Sequence, residues 1–189
     1  MNRLIPPIAA AATLVLSACV TGPVAPLPPR AVATQAEIHP WGWGYAEKAV
    51  PEMAVRFGRT SLAPGEYLWA ADKPDGEPTR IVVSLTRQMA WVYQGDAMVA
   101  ATTISSGSGG HESPVGEFPI LGKDRFHKSN RYSAAPMPFM LRLNSFGVAL
   151  HGGKLPGYPA SHGCIRLPMT FAQKLFGLAK IGDTVFVEG

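Results

Sequence analysis

Three side chains in the stretch "HGGKLPGYPASHGCIRLP", residues 151–168, are suited to covalent chemistry: His151, His162 and Cys164. A cysteine nucleophile must reach its thiolate form, needs a histidine within hydrogen-bond reach, and needs donors for the oxyanion that develops. Gly163 lets a substrate approach the backbone, and the amides of Gly163 and Cys164 are free to face one oxygen. Arg166 adds positive charge that favours thiolate. Read as an extended segment, the stretch points His162 and Cys164 to the same side, with Cα atoms about 6.5 Å apart. Spacing alone therefore favours His162 as the base, while His151, at the end of "GVALH", reaches in from a neighbouring strand. A zinc site is the competing reading, with His151, His162 and Cys164 as ligands and water in the fourth position. It lacks an HExxH motif and a second nearby cysteine.

Two glycine-rich segments invite a phosphate-loop reading and fail it. In "SSGSGGHESPVG", residues 105–116, Glu112 stands where a dinucleotide fingerprint needs its third glycine. In "GEFPILGKD", Asp124 stands where a magnesium-binding Ser or Thr belongs. The first reads as a flexible loop with a turn at Ser113-Pro114. His111 lies in that loop and borders the cleft at most; His39 and His127 have weaker claims.

The elements that position these residues are mostly strands. "RIVVSL" and "QMAWVYQGDAMVAATTIS" are rich in β-branched and aromatic residues, with a turn at Gln94-Gly95-Asp96. "GEFPIL", "FMLRL", "GVALH" and "DTVFVEG" supply further short strands. One helix is expected from about Met169 to Lys180, where Ala172, Leu175, Phe176 and Ala179 make an apolar face. The fold class is mainly β, a β-sandwich-like domain over residues 79–189 with one or two short helices.

The N-terminal part has another character. Residues 1–18 carry Arg3 and then an apolar run too short to span a membrane, which fits a secretory signal. "LSAC" at 16–19 resembles a bacterial lipobox, which implies cleavage before Cys19 and lipidation of it. Residues 19–40 hold five prolines and read as an extended tether. Residues 41–78 read as an extension packed on the domain: Trp41, Trp43 and Tyr45 pin it there, and a short helix around Ala46 to Phe57 must start at Pro51 or break there. The expected location is the cell envelope, anchored through Cys19, on the periplasmic side of the outer membrane in a Gram-negative host. A lipidated Cys19 leaves Cys164 as a free thiol in an oxidising compartment. The formal charge of +4, with no basic run, excludes nucleic acid as a natural partner.

Taken together, "SHGCIRL" resembles the signature of the YkuD-type L,D-transpeptidases, cysteine enzymes that remodel bacterial peptidoglycan. The upstream "HGG", the strands in "VVSLTRQMAWVYQGD" and the loop "SGSGGHESPVGEFPIL" extend the resemblance over about residues 80–187. It implies Cys164 as nucleophile and His151, not His162, as general base and acid. It implies that the Gly152 carbonyl orients His151, and that His162, Gly163 and the Cys164 amide shape the oxyanion site. Ser161 and Arg166 then support loop and substrate. The implied substrate is a peptidoglycan tetrapeptide stem, with Lys154 to Ala160 as a substrate loop and Tyr132, Met137 and Phe139 as groove or core residues. No metal or organic cofactor is implied. A carboxypeptidase, another thiol peptidase or amidase on the same polymer, and an inactive peptidoglycan-binding module are the competing readings.

Overall fold

The computed structural model describes residues 44–189; the expected signal segment, Cys19, the expected tether, His39, Trp41 and Trp43 lie outside the described residues. Two sheets and two helices make up the described part. The first sheet has six strands in the order β1 (Tyr67–Trp69), β4 (Ala97–Thr103), β3 (Met89–Gln94), β2 (Thr79–Ser84), β10 (Thr184–Glu188) and β5 (Gly116–Pro119). The second has four, in the order β6 (Gly122–Lys128), β7 (Pro136–Arg142), β8 (Ala149–Gly152) and β9 (Ile165–Leu167). All pairs are antiparallel except β2–β10 and β8–β9.

The larger sheet is covered on both faces, which explains its continuous apolar strands. Ile81, Val83, Val185 and Val187 face one core with Leu141, Leu150, Ile165 and the second helix, α2 (Met169–Leu178). Their neighbours Val82, Trp91 and Phe186 face the other, under the first helix, α1 (Tyr45–Phe57). Strand residues point alternately to opposite faces, so each strand feeds both cores.

The extension over residues 41–78 adds β1 to the larger sheet, Tyr67 opposite Thr102. One expectation needs correcting: Pro51 neither starts nor breaks α1; it lies inside the helix and is exposed. An interior proline costs about 3 kcal/mol, and tertiary contacts offset it. Ala46, Ala49 and Met53 bury one face, and the Tyr93 hydroxyl donates to Glu52 Oε2 at 2.6 Å. The buried Glu188 carboxylate accepts the first amides of the helix, from Tyr45 at 2.8 Å and Ala46 at 2.9 Å. A carboxylate there satisfies orphan donors and suits the positive end of the helix dipole.

The helix expected over Met169 to Lys180 is α2, and it ends at Leu178. Lys123 on β6 donates to the Phe176 carbonyl at 2.6 Å and to that of Ala179. This ammonium caps the negative end of α2 and ties the smaller sheet to it. Phe171, Ala172 and Leu175 then press α2 against β8, whose last residues are His151 and Gly152.

Candidate active site

His151 is carried by β8 and Arg166 by β9; the parallel ladder makes them Cα partners. The His151 ring is buried, and its Nδ1 stands 2.9 Å from the Gly152 carbonyl oxygen. A carbonyl only accepts, so Nδ1 carries the proton and Nε2 keeps its lone pair. Gly152 packs under the Met169 side chain: a Cβ there would lie 2.8 Å from Met169 Sδ and displace it.

Cys164 is half-buried and lies just before β9. Its Sγ is 3.6 Å from the Gly147 carbonyl, on the turn between β7 and β8. His151 and Cys164 line the same cleft, about 1180 Å³ in volume. Cations dominate its rim, with Arg131, Arg142, Lys154 and Arg166 against the single carboxylate of Glu112.

The segment before Cys164 is not the extended run expected from sequence. Residues 162–164 form a bend, and Gly163 sits at φ +105°, a conformation that favours glycine. The His162 ring packs on Tyr132 (centroids 4.8 Å apart) and His111 (5.3 Å), and all three line the cleft with Cys164. Among the described residues no three His, Cys, Asp or Glu side chains converge to hold a metal ion, so the zinc set does not assemble. No protein acceptor is found for the Gly163 or the Cys164 amide among the described residues.

The remaining candidates separate by position. Ser161 is buried and donates to the Cys164 carbonyl. His111, His127, Tyr132 and Met137 line the cleft. Phe139 instead packs on the core and on Phe176, with ring centroids 5.9 Å apart. In the 154–160 loop only Lys154 lines the cleft; Gly157 lies against Pro64, where a Cβ would be 2.9 Å from Cγ. Sequence reasoning missed Ser113 and Gly147, which both touch the Cys164 segment. A Ser-Pro turn and an Asn-Ser-Phe-Gly turn carry no signal of that contact.

Electrostatics qualify the expected thiolate. Burial pushes the Cys164 thiol up, and the Ala149 amide and the Arg166 charge only partly oppose it. Burial also pushes His151 down; the Gly152 carbonyl opposes this, while Arg166 and His127 reinforce it. Both shifts run toward the neutral form of their group, because burial penalises the charged one.

The model of the YkuD L,D-transpeptidase catalytic domain matches residues 78–187. The chain belongs to this family. Every residue of the cleft described above falls within the matched span, whereas α1 and β1 lie before it. Solved L,D-transpeptidases share the fold. One from Stackebrandtia nassauensis is 26% identical at TM-score 0.56, covering 73% of this chain and 65% of its own. One from Mycobacterium tuberculosis H37Rv is 22% identical at TM-score 0.57, covering 60% and 59%. A third, solved in complex with imipenem, is 21% identical at TM-score 0.54, covering 59% and 59%. The chain thus spans 59% to 65% of the length of these YkuD structures. None of the curated proteins compared matches it.

Proposed function

We propose that this protein is a peptidoglycan L,D-transpeptidase in which Cys164 is the nucleophile and His151 the general base and acid. The observation that carries the reading is the fixed tautomer of His151, with Nδ1 tied to Gly152 O at 2.9 Å in the cleft that Cys164 also lines. His151 Nε2 takes the Cys164 proton as sulfur attacks the carbonyl between residue 3 and the terminal D-alanine of a tetrapeptide stem. The amides of Gly163 and Cys164 hold the oxyanion, a contribution of about 3 kcal/mol per donor in comparable acyl transfers. The C–N bond breaks, the leaving amine takes the proton from His151, and a thioester remains on Cys164. An acceptor amine attacks that thioester and gives its proton to His151, and sulfur leaves as the thiol. Arg166 holds a positive charge beside both groups, and the cationic rim suits a stem peptide bearing carboxylates. Cys19 would carry a lipid that anchors the enzyme at the envelope, with residues 20–40 as its tether.

Tetrapeptide muropeptides incubated with the protein should yield products cross-linked between third residues, and Cys164→Ala should yield none. Release of D-alanine without cross-links would make the enzyme a carboxypeptidase. Binding without turnover would make it a peptidoglycan-binding module. Imipenem, bound in one related structure, should add its mass to Cys164. That adduct should vanish in His151→Ala and persist in His162→Ala; the reverse would exchange their roles. Cys19→Ser should release the protein from membranes.

A further inference from the structure

The glycine-rich loop between β4 and β5 docks along the whole Cys164 segment, and the mechanism above does not use it. Ser105 and Arg166 exchange backbone bonds at 2.9 and 3.0 Å. The Ser106 carbonyl accepts the amides of Ala160 at 3.0 Å and Ser161 at 2.9 Å, and the Ser108 amide donates to Ser161 O at 3.1 Å. Gln88 in turn grips Ser106 through both ends of its amide. Gly107 packs so closely that a Cβ would lie 2.0 Å from His111 O and 2.8 Å from Gly163 N. Ser113 is at the centre of this contact and is 5% exposed. Its Oγ accepts the Gly107 amide at 2.9 Å and faces two carbonyls, Gly163 O at 3.0 Å and Cys164 O at 3.4 Å.

A hydroxyl has one proton to donate. The shorter contact gives it to Gly163 O, while Ser161 Oγ serves Cys164 O. The carbonyl of Gly163 and the amide of Cys164 belong to one planar trans peptide, so they point in opposite directions. Anchoring the carbonyl on one side therefore aims the amide to the other. We infer that Ser113 is a positioning residue that locks the Gly163–Cys164 peptide so that the Cys164 amide faces the oxyanion formed in acyl transfer. The inference rests on the transpeptidase reading of the same site. It assigns the glycine-rich loop a part in transition-state stabilisation, through a residue 50 positions from the carbonyl it holds.

Two reactions of the same thiol separate positioning from plain packing. Imipenem acylation passes through an oxyanion; alkylation by iodoacetamide does not. In Ser113→Ala the acylation rate should fall at least about tenfold, part of the roughly hundred- to thousandfold that a fully lost oxyanion donor costs. Alkylation of Cys164 at the same pH should stay within about twofold of wild type, and Ser113→Thr should restore acylation. Should the alanine variant not fold, Ser113→Thr and Ser113→Val, equal in shape, must differ in the same way. Equal losses in both reactions, or acylation unchanged in Ser113→Ala, would overturn the positioning role and leave the transpeptidase reading standing. A wild-type protein that is alkylated, yet acylated by neither imipenem nor tetrapeptide, would overturn both.

Discussion

His151 and Arg166 are partners across the parallel β8–β9 ladder, so one guanidinium acts on both the imidazole and the Cys164 thiol. Its charge lowers the proton affinity of both His151 and Cys164. For the imidazole this preserves the free base; for the thiol it offsets part of the burial penalty. Arg166→Gln should therefore move both titrations upward. The acid limb of the acylation profile and the pH midpoint of Cys164 alkylation should rise together, and Arg166→Lys should move each less. Rates measured from pH 5 to 10 check this.

The lowered His151 value sets a pH window for activity and stability. An unperturbed histidine titrates near about 6.5, and burial places His151 below that. Acylation should hold as pH falls to about 6.5 and decline only below it, as the base becomes protonated. Stability follows the same sign. Between the unfolded value and the lower folded one, the unfolded chain binds more protons, so acid favours unfolding. Urea midpoints should fall from pH 7 to pH 5, and His151→Gln should flatten that slope.

Cys164 should titrate on the other side of neutrality. Burial raises its thiol, above the ordinary value of about 8.5. Iodoacetamide alkylation should keep climbing beyond that pH, whereas acylation, assisted by His151, should not need the thiolate at rest. Coincident profiles for the two reactions would contradict a neutral resting pair.

The cap on α1 is testable apart from the chemistry. Glu188→Ala leaves the amides of Tyr45 and Ala46 without their acceptor, a loss of about 1–3 kcal/mol for a buried hydrogen-bonded charge. Urea unfolding should show that loss, and amide exchange should show α1 opening before the strands of the larger sheet.

Gly107 is the least replaceable position in the loop contact. Gly107→Ala would place a Cβ 2.0 Å from a backbone oxygen, where no side chain can yield. Overpacking of this kind costs about 1–3 kcal/mol. The thermal midpoint should drop, and the backbone of the Cys164 segment should shift with it, slowing acylation.

Local signals in the chain were enough for much of this protein. The apolar strands around Ile81, Trp91 and Val185, the turn at Gly95 and the amphipathic face of α2 all follow from periodicity and turn chemistry among near neighbours. The glycine-flanked His151, His162 and Cys164 marked the stretch that lines the cleft, though their spacing alone left a thiol and a metal reading open. Tertiary structure alone decided the rest, because the deciding contacts join residues far apart in the chain. Pro51 sits within a helix because Glu188, Tyr93 and the sheet hold it there. His162 stacks on Tyr132 and His111, residues 30 and 51 positions away, and Gly163 before Cys164 takes a positive φ. Burial shifts the proton affinities of Cys164 and His151 in opposite directions, which sequence spacing does not encode. Spacing along the chain names which groups can react; only packing sets which way their protons and lone pairs point.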